Sequence, residues 1–432
     1  MKIFCIGIGG IGLSGVAQIL KAQGNEVMGS DSSPSEITQI LEEGGISVLR
    51  EHNEHSIDSS VDLIIYSEAV SEDNPERKKG MELGIREISY AEALGMISHD
   101  KRTIAVTGTH GKTTVTGMLT SILLEAQMDP SIIIGSKIDK LGDRNFRVGN
   151  CDLFLAEACE YRGNFLHLSP DIVLINNLEP DHLDYFLNAE NYYKVFQQFI
   201  EKIPEKGYLI IHHRDESKLD LDKVRGKVIR LFDDLGNDSF QLKVPGKHNQ
   251  MNALSAQAVS RVLQISDEVI KKGLEGFHGT WRRFEYKGEL NGAKLYDDYG
   301  HHPTEVQATI QGARELYPGK KLIVIFQPHQ YSRTRQLFDE FSRSFTNSNE
   351  VWITDIYKAR DSDEDIASVS AEQLVQAISK YQSARYVPFS QLSSGMKTHA
   401  EANHIFLVMG AGSIHEVFKD LKFLDARPQY RP

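Results

Sequence analysis

Apolar residues fall along this chain in short, near-continuous runs, each closed by glycine or polar residues. Residues 2–8, "NEVMGSD" (25–31) and "VDLIIYS" (61–67) read as buried strands. Between the first two, Leu13, Val16, Ile19 and Leu20 recur at helical spacing. Strand, helix, strand, repeated, predicts a parallel sheet with helices on its faces. The pattern restarts near residue 101 with "KRTIAVTGT", a helical stretch after Lys112, then "CDLFLAEA", "DIVLINNL" and "KGYLIIHH". It restarts again near residue 286 with "AKLYDDYG", "KKLIVIFQP", "EVWITDI" and "NHIFLVMGAG". We therefore expect an α/β chain of three units, about 1–100, 101–284 and 285–432. Ligands of open α/β sheets collect at the carboxyl ends of strands, so the polar residues after each run are the candidate functional groups.

Bulk numbers narrow the classes. A chain of 432 residues suits two to four domains at roughly 100–200 residues each. A net charge of −12 argues against a sequence-independent nucleic-acid binder, which needs a basic face, and leaves room for a small-anion pocket. Cys5, Cys151 and Cys159 form no disulfide framework and no paired zinc motif, so a cytoplasmic setting is expected. Cys159 is expected to be a small buried or half-buried side chain, since no base accompanies it. No run reaches the ~18 apolar residues of a membrane span, and the N-terminus lacks a signal-peptide pattern.

Two glycine-rich turns follow predicted strands. Gly7, Gly9, Gly10 and Gly12 sit between a strand and a helix, where free N–H groups attract a diphosphate. Asp31 lies 19 residues after Gly12, near where a dinucleotide fold places its ribose carboxylate. These residues by themselves fit NAD, FAD, a nucleotide sugar or a plain turn. The second turn, "GTHGKTT" (108–114), departs from the usual phosphate loop, because Val106 stands at the first glycine position. Its N–H groups would still cradle phosphates, Lys112 would reach them, and the Thr113 hydroxyl would meet Mg²⁺. Magnesium takes oxygen ligands. "LAEACE" offers Glu157 and Glu160, and "NNLEPDHLD" offers Asn177, Asp181, His182 and Asp184. Glu157 is the expected ligand. His182 by itself reads as a hydrogen-bonding residue, imidazole being a soft partner for Mg²⁺.

The set "GTHGKTT", "EACEYRGNFL", "NNLEPDHLD", "PGKHNQMNALSA", "RRFE", "DDYGHHPTE" and "FQPHQYSRT" resembles the Mur ligases of bacterial cell-wall synthesis, from Gly7 to about Gly412. The resemblance implies a Rossmann-like domain for a UDP-sugar, a P-loop ATPase-like central domain, and a Rossmann-like C-terminal domain that closes over ATP and brings an amino acid. "DDYGHHP" with "FQPH" is similar to the member that joins L-alanine to UDP-N-acetylmuramate, in the cytoplasm, as a monomer or homodimer. It further implies ATP with Mg²⁺ or Mn²⁺, and an acyl phosphate. Residue by residue, it assigns Gly9, Gly10, Gly12, Asp31, Ser32, His52 and Ser67 to the UDP-sugar. It assigns Gly108, Thr109, Gly111, Lys112, Thr113, Thr114, Asn177, Asn249, Asn252, Arg283 and Asp298 to ATP. Thr113, Glu157 and His182 become metal ligands, which overrides the residue-level reading of His182. His110, Lys112, His301 and Arg333 are the implied catalytic set, with Tyr299, His301 and Arg333 around alanine. Because Lys112 and Asp298 lie in different units, closure on ligand binding is expected.

Some positions depart from the family pattern. Gln330 and Ser413 replace a common Arg and Asp, and "EACEYRGNF" differs from "EADESDASF". Phe196 falls near a lysine that some relatives carbamylate, so no carbamylation is expected, although Lys194 is close. Other readings are a relative that recycles a tripeptide onto the same sugar, a nicotinamide-dependent dehydrogenase, and a non-catalytic nucleotide-binding scaffold.

Overall fold

A computed structural model describes residues 1–232, 240–359, 361–421 and 424–425. It contains three sheets, one for each expected unit. The first is wholly parallel. Its strands lie in the order Ser47–Leu49, Glu26–Ser30, Lys2–Ile6, Leu63–Tyr66, Arg86–Ser89. Chain order reverses between Lys2–Ile6 and Leu63–Tyr66, so a crevice opens beyond their carboxyl ends. Gly7 lies there with φ 76°, which ends the strand two residues before the apolar run does.

The second sheet runs Lys227–Leu231, Tyr208–His212, Ile172–Ile175, Arg102–Thr107, Leu153–Glu157, Ser131–Ile138, Arg144–Arg147. All its pairs are parallel except the last. Arg102–Thr107 is central and leads through the second glycine turn into the helix Lys112–Glu125. Leu153–Glu157 and Ile172–Ile175 flank it, so Glu157 on one side and Asn176 and Asn177 on the other end beside the turn. The third sheet runs Ala384–Tyr386, Glu350–Ile353, Lys321–Phe326, His404–Met409, Ala293–Asp298, Glu285–Leu290, Leu424–Asp425. Its last two pairs are antiparallel.

The chain divides into two compact units. The first and second sheets lie in one, built from Met1–Gln241 and Met251–Phe277. One apolar cluster runs through it, from Ile3, Val16 and Leu94 to Phe154, Phe165 and Phe196. Leu242–Gln250 and His278–Pro432 form the other unit. There, Val306, Val324, Phe326 and Phe341 pack on one face of the sheet, and Leu295, Ile325, Trp352 and Phe406 on the other. Among the described residues no helix is long and apolar enough to cross a membrane.

Candidate active site

The first glycine turn is held by its own backbone and one carboxylate. Gly9 N donates to Asp31 Oδ2 at 2.8 Å, and Ser33 N donates to Oδ1 at 2.9 Å. A Cβ on Gly9 would lie 2.7 Å from Asp31 Oδ2, so only glycine lets the turn and the carboxylate meet. Gly10 precedes the helix Ile11–Ala22 with no side chain capping it, which leaves the first-turn N–H groups for an anion. Ser67 faces Gly7 and Gly10 from the next strand end, and Ser32 is exposed beyond Asp31. His52 Nδ1 lies 2.9 Å from buried Glu76 and 3.0 Å from Ser30 Oγ. Tyr90 covers Gly12, and burial together with the Glu157 charge holds its phenol well above the usual range.

The second turn is tied to residues far away in sequence. His110 N donates to Asn177 Oδ1 at 2.8 Å, and Asn177 Nδ2 donates to His110 O at 2.8 Å. Asn176 Nδ2 donates to His110 O at 3.0 Å and to Asn252 Oδ1 at 2.9 Å. Gly111 has φ 80°, and a Cβ there would lie 2.6 Å from both Asn176 Nδ2 and Asn252 Oδ1. Gly108 has φ 124° and faces the backbone of Asn177. The Thr109 hydroxyl bonds Glu179 O at 2.6 Å and Tyr192 Oη at 2.8 Å, and accepts from Glu179 N at 2.8 Å. Asn177, expected to touch nucleotide, thus grips the backbone of the phosphate turn.

Charge collects just inside it. Lys112 Nζ donates to Gly108 O at 2.6 Å and Thr109 O at 3.0 Å, and pairs with Glu160 at 2.9 Å. Burial disfavours this ammonium, but the Glu160 carboxylate outweighs that and keeps it charged. Thr113 Oγ1 donates to Glu157 Oε1 at 2.9 Å, and Gly135 N donates to Glu157 Oε2 at 2.8 Å. Two oxygens on one spot suit a hard cation such as Mg²⁺. His182, with φ 53°, lies 3.9 Å from Glu160 and 3.8 Å from Asp181. His110 Nε2 lies 3.3 Å from Glu179, and Thr114 is buried in the first helical turn. Cys159 corrects an expectation: it is exposed, because it sits in the loop after the strand instead of on the sheet. The Glu160 charge beside it opposes ionisation of the thiol, so it is a poor nucleophile.

In the other unit, Asp298 is buried and accepts from Phe284 N and Gly300 N, both at 2.8 Å. Burial pushes this carboxyl above its usual range. Arg283 lies 3.6 Å from Glu305 and over the Tyr299 ring at 5.2 Å. His301 Nδ1 meets Tyr299 O at 3.1 Å, and its ring centre lies 6.0 Å from that of His329. Arg333 Nη1 in turn lies 3.3 Å from His329 Nδ1. His329 therefore links the three residues expected around an amino acid, Tyr299, His301 and Arg333. Gln330 holds φ 73° and donates its N–H to Tyr357 O at 2.9 Å. Asn249 donates to Pro245 O at 2.7 Å in this unit, whereas Asn252 belongs to the first.

Within the first unit, the fold brings Lys112, Thr113 and Glu157 to one strand end. Asn176 and Tyr192 complete that region without having been singled out as site residues, and Glu160, offered as an oxygen ligand for Mg²⁺, pairs with Lys112. Glu160 was visible as the second acid of "EACE", whereas Tyr192 carried no local signal.

Comparison with known proteins adds three family matches. The chain matches "Mur ligase family, catalytic domain" over residues 2–102, "Mur ligase middle domain" over 106–230, and "Mur ligase, glutamate ligase domain" over 282–412. It is 40% identical to a UDP-N-acetylmuramate–L-alanine ligase of Clostridium acetobutylicum, over 96% of each chain. A crystal structure of the UDP-N-acetylmuramate–alanine ligase of Thermotoga maritima superposes with a TM-score of 0.78 at 26% identity, covering 97% of both chains. A murein peptide ligase of Psychrobacter arcticus superposes with a TM-score of 0.71 at 23% identity, again over 97% of both, and at that identity it informs the fold alone.

Proposed function

The chain belongs to the Mur ligase family, and from that premise we propose that it joins L-alanine to the carboxylate of UDP-N-acetylmuramate, with ATP converted to ADP and phosphate. The observation that carries this reading is the second glycine turn, where Lys112, Thr113 and Glu157 meet in the same compact unit as a first glycine turn held by the Asp31 carboxylate. Residues 1–100 would take the UDP-sugar, 101–284 ATP, and 285–432 the amino acid. The 40% identity to alanine ligases favours alanine over a tripeptide.

A carboxylate is a poor acyl donor because oxide is a poor leaving group. Attack of a sugar carboxylate oxygen on the γ-phosphorus of ATP forms an acyl phosphate and releases ADP. Such transfers need positioning and charge neutralisation more than covalent help. Lys112 would supply positive charge once phosphates replace the Gly108 and Thr109 carbonyls around it. Thr113 and Glu157, with His182, would hold Mg²⁺ or Mn²⁺, which when bound neutralises phosphate charge. The amine of alanine then attacks the acyl carbon, loses a proton and expels phosphate, leaving the amide. Tyr299, His301 and Arg333 would receive alanine, the Arg fork matching its carboxylate. All of these substrates are cytoplasmic metabolites in this reading. Phosphate release with UDP-N-acetylmuramate, ATP-Mg and single amino acids tests it. Release is expected to depend on L-alanine, and release independent of it overturns the reading.

A further inference from the structure

Tyr90 opens the helix Tyr90–His99, directly after the strand Arg86–Ser89. A capping box fixes that helix start: Glu92 N donates to Ser89 Oγ at 3.2 Å, and Ser89 N donates to Glu92 Oε2 at 2.7 Å. The ring therefore has a set direction, and it runs onto Gly12 of the first glycine turn. A Cβ on Gly12 would lie 2.7 Å from Tyr90 Cζ and 2.9 Å from its hydroxyl. The Glu157 carboxylate is near enough for its charge to act on the phenol. Tyr90 thus lies against the turn that suits a diphosphate, within reach of the Glu157 charge.

The residue is half-buried, and among the described residues its hydroxyl has no hydrogen-bond partner. The hydroxyl is not fully buried, so it is open to a ligand oxygen. A phenol is neutral and can donate, so it can stand beside Glu157 and still meet an anion, where a further carboxylate would be repelled. We propose that Tyr90 is a substrate-binding residue, whose O–H donates to an anionic oxygen of the UDP-sugar on its way from Gly9–Gly12 toward Glu157. This rests on the ligase reading above. The anionic oxygen belongs either to the diphosphate or to the sugar's carboxylate.

Tyr90→Phe keeps the ring on Gly12 and removes only the hydroxyl, so an unchanged melting midpoint is expected. Calorimetric titration of the wild type and Tyr90→Phe with UDP, UDP-N-acetylglucosamine and UDP-N-acetylmuramate reads the proposal. The Kd for UDP-N-acetylmuramate is expected to rise about tenfold or more, the scale of a hydrogen bond to a charged group. ATP-Mg affinity should stay unchanged. Equal losses for all three probes assign the partner to the diphosphate, and a loss confined to UDP-N-acetylmuramate assigns it to the carboxylate. Unchanged affinity for all three, or an equal loss of ATP affinity, overturns the proposal. A wild type that binds none of the probes sinks the ligase reading itself, whatever the variant does.

Discussion

The turn at Gly7–Gly12 and the turn at Gly108–Gly111 each follow a strand within a parallel array, and each leads into a helix whose start no side chain caps. Their charges differ. At the first, the Asp31 carboxylate holds the turn through backbone N–H groups. At the second, an ammonium and a hydroxyl–carboxylate pair stand at the helix start. Backbone donors suffice to bind a diphosphate that does not react. Phosphoryl transfer needs movable positive charge and metal-ready oxygens as well. In the proposed reading one scaffold therefore serves two tasks, and the side chains just beyond the glycines decide which.

The sharpest way to break this comparison is Lys112→Ala. It should lower kcat by about 100-fold or more, the scale of losing one charge-stabilising group. UDP-N-acetylmuramate affinity should not change, and a steady-state assay with parallel titration would show whether the loss is confined to the second turn. Gly111→Ala comes next. The new methyl would press into Asn176 and Asn252 at a left-handed φ, so ATP affinity should fall more than tenfold (overpacking and backbone strain each being worth about 1–3 kcal/mol). Gly9→Ala should do the converse. It would push Asp31 away and weaken the UDP-sugar by about tenfold with ATP affinity intact; equal damage to both ligands would mean that the turns do not act separately.

The smallest expected effect lies outside both turns and serves as a control. Burial lowers His248 from 6.5 to about 4, against the opposing pull of Glu305. The folded chain thus keeps this imidazole neutral where the unfolded chain protonates it. Its contribution to stability is full above pH 6.5 and is lost as pH falls toward 4. His248→Gln should flatten the melting midpoint across that window while leaving both turns' ligand affinities unchanged.

Much of the fold was legible. The strands after Lys2, Arg102 and Lys321 are short runs of buried residues, and periodicity finds those. The hairpin Ser131–Ile138 with Arg144–Arg147 went unread, because its second strand carries exposed arginine at Arg144 and has no apolar run. Thr113 and Glu157 were each singled out in the sequence, but that they meet depends on the pairing of Arg102–Thr107 with Leu153–Glu157. Glu160 as the partner of Lys112 was not legible, because the choice between two acids three residues apart depends on which way the loop turns after Glu157.

By itself the sequence determined the α/β class, the positions of both glycine turns and the types of group offered at each. Those are local properties, set by residue spacing along one strand, turn and helix. Tertiary structure alone decided that Asn177 grips His110, that Tyr192 reaches Thr109 and that Tyr90 lies on Gly12. Each joins residues 67 or more positions apart. Their meeting depends on strand order and on how helices pack across the sheets, and neither is written in the period of any single segment.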